Sequence, residues 1–224
     1  MIKEFFKENR NIILVLLTID VLLVVFHIIF PGNYLFNLDF EFNVPTIYQG
    51  LKLISIGILA IMIIWEIYFK KESIIKSWFW IFWSMMFLFL GIDEIGQVHE
   101  NVSGYMKKIL GTGAVDYESS LVELGYSSTT WLPYYAILFV ISTVIVAFFV
   151  KKEYVKNKKN TKILIIGWLL LLGVIVVEYI NTMTAIMFQQ GYGSLVVLEE
   201  SLEMFGASFL LLFTLERSRL RKIV

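Results

Sequence analysis

Seven carboxylates fall within or at the ends of three apolar segments: Asp93, Glu94 and Glu100 in one, Glu178 in a second, and Glu199, Glu200 and Glu203 in a third. An ionisable side chain at the centre of a bilayer costs on the order of 2.5–3.5 kcal/mol on insertion scales, so a group of seven points to a site rather than to accident. With His99 beside them, these residues form an oxygen-rich ligand set for a hard or borderline divalent cation such as Mg²⁺, Mn²⁺, Ca²⁺, Fe²⁺ or Zn²⁺. Asp93, Glu94, His99, Glu178, Glu199 and Glu203 are the candidate metal ligands. Glu100 or Glu200 is the candidate general base toward a metal-bound water. The spacing matches no standard motif: Glu-x-x-His, used by carboxylate-bridged dimetal bundles, is absent. So is His-Glu-x-x-His, since residues 99–103 read His-Glu-Asn-Val-Ser.

The elements that must position these groups are helices in a membrane. The chain is 58% hydrophobic, against about 45–50% for soluble domains, and its mean hydropathy is +0.75. Six apolar runs of roughly 20 residues predict six transmembrane helices, at Asn11–Phe30, Thr46–Phe69, Ser77–Val98, Trp131–Val150, Ile163–Phe188 and Ser194–Leu215. Polar or glycine-rich turns separate them, among them Pro31-Gly32-Asn33 and Gln189–Gly193. The first run is too long for the apolar core of a signal peptide and lacks a small-residue cleavage site, so it is read as an uncleaved helix.

Orientation follows from lysine and arginine. Sixteen of the nineteen basic residues lie at the two termini or in the second-to-third and fourth-to-fifth connections. Both termini are therefore expected in the cytoplasm. The fold expected is an all-α, polytopic six-transmembrane-helix bundle in a cell membrane. Residues 1–224 form a single domain, with 101–130 an extracytoplasmic loop or lid.

At about 1.5 Å per residue, Asp93 and Glu94 lie roughly 24 Å up the third span and Glu178 about 23 Å up the fifth. Glu199, Glu200 and Glu203 lie about 8–14 Å below the outer surface on the sixth. All share one layer in the outer half. On a helical wheel Asp93, Gln97 and Glu100 share a face, as do Glu199, Glu200, Glu203 and Gly206. His99 points away from the Asp93 stripe unless the helix breaks near Gly96. Lys52 is the one buried base at this level, with His27 and His99 as further counter-charges. Asp20, near the middle of the first span, either extends a proton path or pairs with a hydroxyl or amide of a neighbouring helix, and the second reading is favoured.

Several classes are excluded or unsupported. Without cysteine there is no disulfide, thiolate nucleophile or zinc–thiolate centre. Basic and acidic residues balance at 19 each, so nothing points to nucleic acid. The runs Leu90-Gly91-Ile92-Asp93-Glu94-Ile95-Gly96-Gln97-Val98-His99-Glu100 and Leu198-Glu199-Glu200-Ser201-Leu202-Glu203-Met204-Phe205-Gly206-Ala207 resemble multi-pass prokaryotic membrane proteins of uncharacterised activity. Those carry an Asp-Glu/His-Glu helix end and a later Glu-rich helix; the resemblance covers these two motifs and implies no activity.

The function expected is a metal-dependent enzyme, a membrane hydrolase, with a divalent metal ion as cofactor and a membrane lipid or lipid-linked substrate as partner. The alternatives are a cation- or proton-binding transporter or sensor, and a structural or partner-binding membrane protein with a satisfied polar core.

Overall fold

The structure, a computed structural model, describes residues 10–98 except 39, 41 and 73–76, residues 132–188 except 156, and residues 193–222. Among the described residues there are six α-helices, one 3-10 turn and no strand. The helices are α1 (Arg10–Ile29), α2 (Val44–Phe69), α3 (Trp78–Gly96), α4 (Leu132–Glu153), α5 (Lys158–Phe188) and α6 (Gly193–Lys222), with the 3-10 turn at Tyr34–Phe36. Each expected apolar run coincides with one helix. α5 and α6 extend past their apolar cores, to 31 and 30 residues. The expected lid, 101–130, lies outside the described residues.

Among the described residues, four helical stretches are long and apolar enough to cross a membrane: Asn11–Ile29, Val44–Phe69, Trp78–Gly96 and Lys158–Ile180. Large apolar side chains such as Val15, Trp65, Met85, Phe148 and Leu169 are exposed on the helix surfaces. Water would penalise such broad apolar faces, whereas lipid would not. α6 differs in kind. Its acids and basic end leave Met204–Leu215 as its longest uncharged run. It is shielded by the other helices instead, with Met204, Ala207, Leu210, Leu212 and Phe213 all buried.

Helix ends are set by local chemistry. The Asn43 side chain caps α2 by accepting from the Thr46 N–H at 3.2 Å, and Pro45 occupies the first turn, where no backbone donor is needed. Asn157 caps α5 in the same way, accepting from the Asn160 N–H at 3.2 Å. The α1–α2 connection is tied to itself: Asn37 Nδ2 donates to the Pro31 carbonyl at 3.0 Å, and the Leu38 N–H donates to His27 Nδ1 at 3.1 Å. His27 thus serves this connection.

The helices assemble as two antiparallel pairs. α2 packs along α3 and α5 along α6, and α2 against α6 joins the pairs. α1 lies on α6, while α4 lies on α5 with fewer contacts. Glycines let each pair approach closely. A Cβ on Gly91 would stand 2.9 Å from the Gly50 carbonyl oxygen, and one on Gly206 would stand 2.9 Å from Leu171 Cδ2. Real Cβ atoms do not tolerate such contacts, so these positions need glycine, as close membrane helix pairs often do.

At the end of the bundle where α3 begins and α6 finishes, the interior is aromatic. Phe79 stacks on Phe149 with ring centroids 3.7 Å apart, and Trp80, Trp83, Phe87, Trp168 and Phe213 complete the cluster. Two of the buried indoles have partners among the described residues: Trp83 Nε1 donates to Thr214 Oγ1 at 3.1 Å and Trp168 Nε1 to Thr143 Oγ1 at 3.2 Å.

Candidate functional site

The opposite half of the bundle is organised around a lysine. Lys52 on α2 is 3% exposed, and its Nζ pairs with Asp20 Oδ1 of α1 at 2.8 Å. It also donates to the Met204 carbonyl of α6 at 2.8 Å and to Ser208 Oγ at 3.3 Å. An ammonium carries three protons, and here three acceptors meet them. Ser208 in turn donates to Asp20 Oδ2 at 2.6 Å, so both oxygens of this fully buried carboxylate are matched. The Tyr48 ring lies 4.4 Å from Lys52 Nζ, a cation–π distance, and its hydroxyl donates to the Leu16 carbonyl at 3.3 Å. The ion pair thus joins α1, α2 and α6 through a closed network. Removing one member of such a pair typically costs about 3–5 kcal/mol, because the other charge is left buried and alone.

The expected pairing of Asp20 with a neighbouring hydroxyl is therefore found, in Ser208, and a lysine is added to it. Asp20 and Lys52 lie at similar distances from the adjoining ends of α1 and α2. That shared depth was the signal that could have joined them.

The acids lie just beyond this network. Glu94 of α3 and Glu203 of α6 are both close enough to Lys52 to act on it electrostatically, together with Asp20. Gln49, one turn from Lys52 on α2, donates from Nε2 to Glu203 Oε1 at 3.2 Å. Helix register places the rest. Gly50 of α2 faces Gly91 and Ile95 of α3, which brings Asp93 and Glu94 level with it. Gly173 of α5 faces Leu202 of α6, and Gly167 faces Phe209 and Leu210. Continuing that antiparallel register sets Glu178 level with Leu198 and Glu199, about one turn beyond Glu203. Asp93 and Glu178 are buried, at 6% and 7% exposure, while Glu94, Glu199, Glu200 and Glu203 are half-buried.

One part of the expected arrangement changes. α3 ends at Gly96, and Gln97 takes a left-handed conformation, φ 51°, with its N–H on the Asp93 carbonyl. A left-handed residue ends a helix by turning the chain aside. Gln97 therefore does not continue the Asp93 stripe as a helical face. His99 and Glu100 lie outside the described residues. Among the described residues, no three histidine, aspartate or glutamate side chains gather closely enough to hold a metal ion. Two groups that the motif search passed over, Gln49 and Ser208, turn out to touch the charged residues directly.

The molecule so defined is an all-helical protein of membrane type, with a buried charge pair at its centre and carboxylates gathered at one end. The family model described as "Domain of unknown function (DUF8692)" matches residues 12–216, and the chain belongs to that family. No curated protein and no solved structure matches it.

Proposed function

We propose that the protein spans a cell membrane six times with both termini in the cytoplasm, and that its acid-bearing end opens outward as a divalent-cation site. There it acts as a metal-dependent enzyme on a lipid or lipid-linked substrate of the outer leaflet. The observation that carries this reading is the gathering of Asp93, Glu94, Glu178, Glu199 and Glu203 from α3, α5 and α6 at one end of the bundle, half-buried or buried. Acids collected within apolar helices mark ion or substrate sites by default.

The ligands are drawn from Asp93, Glu94, Glu178, Glu199 and Glu203, with His99, which follows α3 in the sequence. A cation held there would lower the pKa of a bound water, and Glu100 or Glu200 would take the proton. Because the described acids alone do not group as a metal site, this reading makes His99 a required ligand.

The test is elemental analysis of the detergent-purified protein, alongside His99→Ala and Glu203→Ala. Stoichiometric metal in the wild type, lost in both variants at unchanged folding, is the expected result, with hydrolysis of a lipid panel lost in parallel. A folded wild type that takes up no metal after repletion overturns the reading.

A second reading, a cation or proton sensor, is favoured over a transporter by one observation. Both oxygens of Asp20 are engaged, and the aromatic cluster lies between it and the basic ends of the bundle. Under this reading, ion binding alters a partner's activity, and no flux through the protein is measured in liposomes.

A further inference from the structure

His27 stands in the last turn of α1, half-buried, where the chain leaves the helix for the connection to α2. Its Nδ1 accepts the Leu38 N–H at 3.1 Å. A ring nitrogen accepts only through a free lone pair, so this bond assigns a neutral imidazole with its proton on Nε2. A second proton has to go to Nδ1, and both nitrogens then donate. Two donors cannot share one hydrogen bond. Turning the ring over does not restore it, because neither nitrogen of a charged imidazole accepts. The bond to Leu38 exists only while the ring is neutral.

The packing shows what that bond holds. Asn37 Nδ2 on the Pro31 carbonyl, at 3.0 Å, and Asn43 Nδ2 on the Tyr34 carbonyl, at 3.1 Å, give the connection a shape of its own. The bond to His27 ties that shape to α1, beside Phe36, whose ring centroid lies 5.1 Å from that of Phe26. Leu38 is 5% exposed and shares a cluster with Leu23 of α1 and Met204 of α6, with Tyr48 of α2 packed against it. The Met204 carbonyl and the Tyr48 ring both engage Lys52. Leu38 is therefore an apolar stopper beside the Lys52–Asp20 pair.

Ionisable groups surround His27 on each neighbouring element. Asp20 lies two turns away on α1, and Tyr48 and Lys52 belong to α2. On α6, the Asp20–Ser208 bond and the Leu23–Met204 cluster set an antiparallel register that brings Glu200 level with His27, with Glu199 and Glu203 within a turn of it. Asp39 and Glu41 of the connection lie outside the described residues. Among the described residues the ring's hydrogen bond is to Leu38 and to none of these groups.

We propose that His27 is a pH-sensitive latch. Neutral, it holds the α1–α2 connection, with Leu38, against the charged network; protonated, it lets them go. The latch needs no metal and goes beyond the cation reading. Its sign follows from the bond: closed at higher pH, open as the pH falls and the ring takes its proton. An unperturbed imidazole titrates at about pH 6.5, so measurements at about pH 8 and about pH 5 bracket the change.

The experiment is hydrogen exchange by mass spectrometry on the full chain in detergent at those two pH values, with rates corrected for the intrinsic pH dependence of amide exchange. Wild type is compared with His27→Asn and His27→Ala. The asparagine places an oxygen acceptor near the position of Nδ1 and does not titrate, whereas alanine offers no acceptor. Acidification is expected to lower protection of the segment ending at Leu38 about tenfold in the wild type, on the scale of one lost hydrogen bond. His27→Asn keeps its protection at both pH values, and His27→Ala has low protection at both.

Wild-type protection that does not change with pH overturns the latch. So does an equal loss in His27→Asn, which assigns the change to one of the carboxylates instead. A loss spread evenly over all the helices also overturns it, as general unfolding in acid. If His27→Ala does not fold, the comparison of wild type with His27→Asn decides.

Discussion

The two halves of this bundle are held by opposite chemistries. In one, rings from α3, α4, α5 and α6 fill the interior, and the indoles of Trp83 and Trp168 are each closed by a threonine. In the other, the same α6 helix presents Met204, Ser208 and Glu203 to a lysine, an aspartate and a glutamine from α1 and α2. The aromatic half holds by close packing, because lipid tails are as apolar as the core and hydrophobic burial gains little there. The charged half holds because each buried charge is worse off without its partner. One half is built to stay shut. The other gathers carboxylates from α3, α5 and α6 beside its ion pair.

This contrast can be broken most sharply at the ion pair. Lys52→Met or Asp20→Ala alone should lose about 3–5 kcal/mol in unfolding measured in micelles, each stranding one buried charge. The double variant Asp20→Leu/Lys52→Met should recover most of that loss. Single variants as stable as wild type would mean the network holds nothing together.

Next in size is the aromatic half. Trp83→Ala should lose about 3 kcal/mol, the low end for aromatic truncation, since packing but not transfer from water is given up. Trp83→Phe should lose about 1 kcal/mol, with the bond to Thr214. The two substitutions should leave cation binding at the far end unchanged in calorimetry.

Over-packing comes third. Gly50→Val or Gly206→Val should destabilise by about 1–3 kcal/mol, and cysteine cross-linking across α2 and α3 should show the first helix pair parted in Gly50→Val. The smallest effect is expected at the Arg217–Glu153 pair, 2.5 Å apart and partly exposed. Arg217→Ala should lose about 1 kcal/mol at most, and less in high salt.

The helices were legible in the sequence because length and apolarity announce them: a helix stands at each of the six apolar runs, and four of them are long and apolar enough to cross a membrane among the described residues. Their ends were less so. α5 begins at Lys158 rather than Ile163, since an asparagine cap and a lysine-rich first turn are compatible with helix but not with lipid. α3 stops at Gly96, the break that the sequence left open, because Gln97 takes a left-handed turn there.

Of the site, the acids could be found by type and depth, because charge in an apolar run stands out. Their partners could not. Gln49 and Ser208 are unremarked polar residues, and what gives them a role is their meeting across 154 and 188 positions of chain. The helix pairing that brings them together depends on glycines whose facing partners no single sequence identifies.

The Lys52 network also sets an order of events during synthesis. Asp20 lies 32 residues from Lys52 and leaves the ribosome first, so the two charges can enter the membrane as one hairpin. The other two acceptors of Lys52 lie 152 and 156 residues further on, in the last helix. Until α6 is made, two of the three acceptors of Lys52 are absent, so the network closes only when the last helix is in place, and chains truncated before Met204 should lose the ion pair's protection in hydrogen exchange.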